Sequence, residues 1–170
     1  MLLGSRGAGK STISRILAKR LHRRLFSIDI MIGKVSGMTI SEIVDQNGWS
    51  HFREIEAQQV QSIAGKFNNV VIDCGGGVVL NSENIRQLKQ KGRAVWLMAD
   101  LKEVLKRIRH DTNRPSLKKG MSLEDEQKQV IAERESLYRQ TADLICDTTQ
   151  SPPEETVSSI IRFFRDKRWI

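Results

Sequence analysis

Cysteine is scarce in this chain, with only Cys74 and Cys146 among 170 residues. Two are too few for a disulfide framework, and their spacing matches no zinc motif. Long apolar runs are missing as well. None approaches the roughly 20 residues that a membrane-spanning helix needs. The opening Met1-Leu2-Leu3-Gly4 is too short for the apolar centre of a signal peptide. Internal repeats and low-complexity linkers are also lacking. These absences argue against a secreted scaffold, a membrane protein and a zinc module. A reduced, cytoplasmic setting is the expectation. What remains is a mixed composition, 39% hydrophobic and 28% charged. Such a chain can bury the core of one domain, given that domains commonly hold about 100–150 residues.

The charge balance is basic: 28 Lys and Arg against 20 Asp and Glu give +8, with a pI of about 9.8. Nucleic acid, an acidic membrane or small anions could each explain this. No helix-turn-helix and no aromatic-basic signature accompanies it, so neither nucleic acid nor membrane is expected as a partner. The basic residues Arg162, Arg165, Lys167 and Arg168 are interrupted by Phe163, Phe164, Asp166 and Trp169. They read as the solvated face of a last helix.

Short apolar runs alternate with helical patterns. Met1–Leu3, Leu25–Ile30, Val70–Ile72, Ala94–Met98 and Leu144–Ile145 lack strict period-two alternation and read as strands buried on both faces. Lys10–Leu21, Phe52–Ala64 and Glu124–Tyr138 carry helical apolar spacing. This alternation predicts βαβ units and a parallel sheet, an α/β fold. Pro152-Pro153 reads as a loop or a helix start. The stretch His110–Met121 is polar, basic and poor in apolar residues, a surface loop or a mobile lid.

Gly4-Ser5-Arg6-Gly7-Ala8-Gly9-Lys10-Ser11 fits the P-loop pattern G-x-x-x-x-G-K-[ST]. Glycines let the backbone wrap a phosphate and aim N–H groups at it. A helix starting at Lys10 adds an N-terminus that attracts anions. Lys10 can reach the outer phosphates, and the Ser11 hydroxyl can ligate Mg²⁺. The pattern follows an apolar strand and opens an amphipathic helix, as this chemistry requires. The alternative, a glycine-rich turn with a surface lysine, does not explain that context.

A P-loop identifies a nucleotide, not an acceptor. Acceptors gather at the other strand ends of such sheets. Asp29 falls at the end of the second apolar run, and Asp73 with Gly75-Gly76-Gly77 at the end of the third. Bare glycine backbone can lie close to a ligand or form a tight turn. Arg53 precedes Glu56 by three residues, so a surface pair is the plainer reading and a fork onto a ligand carboxylate the sharper one.

These pieces together resemble the shikimate kinase family over nearly the whole chain. The matches run in order through 4–12, Phe-Ser-Ile-Asp at 26–29, Gly-Met-Thr-Ile-Ser-Glu-Ile at 37–43 and Phe-Arg-Glu-Ile-Glu at 52–56. They continue through Gly-Gly-Gly at 75–77, Asn-Arg-Pro at 113–115, Glu-Arg-Glu-Ser-Leu-Tyr at 133–138 and Ala-Asp-Leu-Ile-Cys-Asp-Thr at 142–148. The resemblance implies a P-loop NTPase-type three-layer α/β/α fold with about five parallel strands, of the shikimate and nucleoside-monophosphate kinase kind. It implies one kinase domain over 1–170, a lid near 110–121 and an acceptor-binding helical segment near 31–65. The implied reaction moves the γ-phosphate of ATP to the 3-hydroxyl of shikimate, with Mg²⁺, in the synthesis of aromatic amino acids. Lys10, Asp29 and Arg114 would be catalytic. Gly7, Ala8, Gly9, Lys10, Ser11, Thr12, Arg107, Arg114 and Pro152 would bind ATP. Asp29, Arg53, Gly75, Gly76, Gly77 and Arg134 would bind shikimate, with both arginines on its carboxylate. A monomer is expected.

The sequence departs from the family pattern in three places. Ser27 stands where the first acid of an Asp-x-Asp pair is usual, an acid that helps hold Mg²⁺. Asp73 stands where a small or hydroxylated residue is usual. The expectation is that Asp73, with Ser11, takes over the metal role; capping the following turn is the alternative. Only Met1-Leu2-Leu3 precede Gly4, which reads as a trimmed first strand. Ser27 also leaves open a ligand-binding or regulatory domain without turnover, and a kinase for another small hydroxy acid remains an alternative. His22, His51 and His110 read as surface or capping residues, Cys74 as buried filler, and Trp49, Trp96 and Trp169 as core or rim.

Overall fold

Five short apolar segments form one sheet: β1 (Leu2–Leu3), β2 (Leu25–Ser27), β3 (Val71–Asp73), β4 (Val95–Met98) and β5 (Leu144–Asp147). In this computed structural model residues 1–109 and 120–170 are described. Every pairing is parallel and the order is β2-β3-β1-β4-β5. Successive residues face opposite layers, and in the central strands β1, β3 and β4 both layers bury them. Leu2, Val71, Val95 and Leu97 pack with one cluster, and Leu3, Ile72 and Trp96 with the other. That two-sided burial explains why the strands read as continuous apolar runs.

The first layer holds α1 (Lys10–Arg20) and α7 (Pro153–Asp166), which bury Ile13, Leu17, Val157, Ile160 and Ile161. The second layer holds α2 (Ile28–Ser36), α3 (Ile40–Lys66), α4 (Ser82–Lys91) and α6 (Leu123–Thr141), which together bury Ile32, Phe52, Val60, Ile63, Leu88 and Tyr138. Helix α5 (Leu101–Ile108) follows β4. Among the described residues no helix is long and apolar enough to cross a membrane. Helix α3 begins with a capping box: the Thr39 hydroxyl accepts from the Glu42 amide, and the Glu42 carboxylate accepts from the Thr39 amide. It breaks at Gly48, whose φ of 79° leaves the helical region. The break explains why helical periodicity is legible from Phe52 onward and not before.

Two expectations need correction. Leu144–Ile145 is not buried on both faces; β5 is an edge strand, and Ile145 is exposed. Leu25–Ile30 does not form a single strand; β2 stops at Ser27 and α2 starts at Ile28. Ile28 and Ile32 are buried one turn apart, while Ile30 is exposed, which is a helical pattern. Asp29 therefore sits in the first turn of α2, where the helix N-terminus favours a negative charge.

The chain moves from β1 to the far edge, returns through β3, and only then crosses to β4. Between β3 and β4, β1 thus opens the crevice where ligands bind in such sheets. Gly4 ends β1 at a φ of 143°, and a Cβ there would stand 2.3 Å from the Leu97 carbonyl oxygen. Gly4→Ala is expected to cost on the order of 3 kcal/mol by overpacking against backbone. Urea unfolding of that variant checks this, and a loss below about 1 kcal/mol would contradict it.

Candidate active site

Two adjoining clefts lie at the carboxyl end of the sheet. The first is a groove of about 560 Å³ lined by Arg6, Gly7, Gly9, Lys10, Ser11, Thr12, Asp29 and Asp73. Gly7 and Gly9 take φ of 80° and 86°, which turns the loop around an open centre. Gly9 is the N-cap of α1, with no side chain in front of the helix amides. Lys10 is buried, and its Nζ donates to the Ser5 carbonyl at 2.8 Å, across the loop. The Ser11 hydroxyl donates to Asp73 Oδ2 at 2.8 Å, joining α1 to the end of β3. Ala8 is buried in the core beneath the loop and does not line the groove.

A strap holds this groove to the far side of the sheet. Arg107 on α5 donates to the carbonyls of Gly7 at 3.2 Å and Thr148 at 2.7 Å, and pairs with Glu103 at 3.0 Å. The Thr148 hydroxyl lies 3.1 Å from the carbonyl oxygens of Ala8 and Met98. The loop after β5 is thereby tied to the P-loop. Pro152 is the N-cap of α7 at the end of that loop and lines neither cleft. Arg114 lies outside the described residues.

The second cleft spans about 540 Å³ counted out to open solvent. It gathers residues far apart in the chain: Asp29 from α2, Trp49, Phe52, Arg53 and Glu56 from α3, Gly75–Gly77, and Glu126, Gln127 and Arg134 from α6. Arg53 Nη1 donates to Glu56 Oε2 at 2.7 Å. The plainer reading of Arg53 is corrected in one respect. Its partner is not on the surface; Glu56 is fully buried, and the pair faces a cavity. Arg53 also lies over the rings of Trp49 and Phe52, 5.6 and 5.1 Å from their centroids.

The glycine triplet sets how close these groups come. A Cβ on Gly75 would meet Glu56 Oε1 at 2.9 Å and Asp29 Oδ1 at 3.0 Å, and one on Gly77 would overlap Arg53 Nη2 at 2.0 Å. Gly76 packs at 3.2 Å from the Gly4 carbonyl by the same measure, and its own carbonyl accepts from the Tyr138 hydroxyl. Arg134 is 8% exposed, and its Nε has no hydrogen-bond partner among the described residues.

Burial pushes the Glu56 carboxyl above its ordinary range, and Arg53 and Arg134 hold back part of that rise. Burial pushes the Tyr138 hydroxyl up to about 12, so it stays a donor toward Gly76. Burial likewise pushes Cys74 up to about 12, which makes it inert filler.

Sequence reasoning passed over several residues that the folded chain brings here. Arg6 is a free position of the P-loop pattern, yet it lines both clefts. Glu126 and Gln127 are buried in α6 at seven or eight residues before Arg134, a helical spacing that places them on its face. Thr148 and Tyr138 carry their bonds through single hydroxyls, which no spacing announces.

A phosphate-cradling loop beside an arginine-lined pocket, on a parallel sheet of this order, defines a P-loop phosphotransferase of small molecules. Comparison with known proteins narrows the class. The family profile "Shikimate kinase" matches residues 6–165. The shikimate kinase of Pelotomaculum thermopropionicum is 38% identical over 170 residues, covering 100% of this chain and 97% of that protein. Shikimate kinase 2 of Photorhabdus laumondii is 39% identical over 158 residues, covering 91% and 89%. Among solved structures, shikimate kinase from Acinetobacter baumannii in complex with shikimate superposes with a TM-score of 0.92 at 30% identity, covering 98% of this chain and 92% of that one. The chain belongs to the shikimate kinase family.

Glu56 generates a pH prediction. Unfolded, its carboxyl titrates near the ordinary value of about 4.3. Folded, it holds its proton to higher pH. The protonated form therefore favours folding, an advantage present below the ordinary value and lost as pH rises through the raised one. Thermal midpoints of the parent chain should fall relative to those of Glu56→Gln as pH rises through that window. A constant offset between the two would show that Glu56 does not titrate this way.

Proposed function

We propose that this chain transfers the γ-phosphate of ATP to the 3-hydroxyl of shikimate, giving shikimate 3-phosphate and ADP, in the cytoplasm. The observation that carries the reading is the junction of the two clefts: Arg6 and Asp29 line both. A phosphate held by the P-loop and a small acid held by the arginines would meet at Asp29. The kinase family and the relative solved with shikimate support the choice of acceptor.

The roles follow from the chemistry of phosphoryl transfer, which needs alignment and charge neutralisation above all. The P-loop amides of Gly7, Gly9, Lys10, Ser11 and Thr12 would hold the phosphates, and Lys10 would swing from the Ser5 carbonyl onto the outermost ones. Arg107 and the loop ending at Pro152 would flank the adenine. Arg53 and Arg134 would fork onto the acceptor carboxylate, with the unpaired Arg134 Nε as the ready donor. Asp29 would orient the attacking hydroxyl and take its proton as the oxygen bonds to phosphorus and the bridge to ADP breaks. Gly75–Gly77 leave room for that ring beside bare backbone. Arg114, in the lid 110–121, would close over the phosphates and keep water out. The whole chain is one kinase unit in this reading, with 31–65 as the acceptor-binding segment. Hard oxygen donors fit Mg²⁺, and Ser11 and Asp73 supply a hydroxyl and a carboxylate in the groove. The cation, when bound, neutralises phosphate charge.

A coupled ADP-release assay with MgATP tests the proposal. Release should depend on shikimate. Binding of shikimate by calorimetry without release would favour the non-turnover reading instead. Arg134→Gln should raise the KM for shikimate by about 100-fold with little change for ATP. Asp29→Asn should lower kcat by about 100-fold or more with shikimate still bound. Equal effects on both substrates would contradict this division.

A further inference from the structure

We infer that Asp73 is the positioning residue for the cation of the nucleotide, acting through the Ser11 hydroxyl, and that it does so in place of an acid at Ser27. The inference rests on the kinase reading above and deepens it. Three observations carry it.

First, Ser27 and Asp73 are direct Cα partners across β2 and β3. Side chains in register on parallel strands point to the same face, so a carboxylate on either residue serves the same end of the sheet. The two positions are not equivalent, however. Asp73 also pairs with Leu2, on the strand that launches the P-loop, whereas β2 lies one strand further out. Moving the acid from β2 to β3 brings it one strand closer to Ser11.

Second, the Ser11–Asp73 bond settles the direction of the hydroxyl. A serine hydroxyl has one proton and two lone pairs. With the proton committed to Asp73 Oδ2 at 2.8 Å, both lone pairs are left for a cation in the groove. A partner that orients a ligating atom in this way commonly changes metal affinity by about 10–100-fold.

Third, Asp73 is not used to cap the turn that follows it. That turn is closed by the Val78 amide on the Gly75 carbonyl at 3.1 Å, and the Cys74 amide goes to Leu2 at 3.2 Å. Asp73, 7% exposed, instead directs its carboxylate across to α1. The remaining acid of the groove, Asp29, lies against Gly75 in the acceptor cleft. Asp29 stands at the junction of the two clefts, whereas Asp73 lines the phosphate groove alone.

The test is binding, not turnover. Calorimetry measures ADP affinity with and without Mg²⁺, and electron paramagnetic resonance measures Mn²⁺ binding to the ADP complex. Asp73→Ala removes the acceptor of the Ser11 proton and should weaken Mn²⁺ binding by about 10–100-fold. Ser27→Asp added to Asp73→Ala should recover most of the loss, because it returns a carboxylate to the neighbouring register position. Metal-free ADP affinity reports whether the P-loop is intact. If Asp73→Ala disturbs it, Ser11→Ala is used: it should weaken Mn²⁺ by a similar factor, and the double variant should lose little more. Unchanged Mn²⁺ affinity in Asp73→Ala, no recovery with Ser27→Asp, or additive losses in the double variant would each overturn the inference. Failure of the parent chain to bind ADP at all would instead overturn the kinase reading.

Discussion

The pairing of β1 with β3 is the constraint on which both clefts depend. It joins Leu2 to Asp73 and sends the Cys74 amide to the Leu2 carbonyl. Two backbones that leave the sheet at this point must then turn in opposite directions without colliding. Gly4 carries one into the P-loop, and Gly75–Gly77 carry the other toward α4. Gly76 lies against the Gly4 carbonyl, and a Cβ there would stand a tight 3.2 Å from it. The phosphate groove and the acceptor cleft are the two sides of this juncture. A shift of either strand by one residue would turn Asp73 to the opposite face and separate it from Ser11.

Arginines make the acceptor cleft, yet buried arginines are costly unless their charge is met. Glu56 meets Arg53 inside the protein, at the expense of a carboxyl that burial would prefer neutral. The glycine triplet allows that pair and Asp29 to crowd against backbone. Tyr138 fixes the triplet from α6, the same helix that supplies Arg134. The cleft is therefore braced by the elements that furnish its charges, which favours a site with little reorganisation on binding.

Much of this was legible in the residues. The P-loop is a local pattern whose strand, loop and helix lie within some twenty positions, so spacing was enough. The buried strands were visible as apolar runs, and their number and parallel pairing match the expectation. Legibility failed where tertiary context decides. Asp29 looked like a strand end, because Leu25, Phe26, Ile28 and Ile30 surround it with apolar residues; only the burial of Ile28 and Ile32 against exposed Ile30 reveals a helix. Arg53 and Glu56 looked like a surface pair at helical spacing, since nothing local tells which face of α3 is covered. Gln127 and Arg6 were invisible as site residues, because the rest of the lining of their clefts comes from distant parts of the chain.

The ionisable groups lining the acceptor cleft carry a consequence for how a guest enters. Arg6, Arg53 and Arg134 face Asp29, Glu56 and Glu126, so the cleft is formally neutral although the chain as a whole carries +8. The excess positive charge resides elsewhere. Balanced charge leaves little net local field among the described residues, so an anionic guest would be recognised by the placement of individual donors such as Arg134 Nε rather than by a surplus of charge.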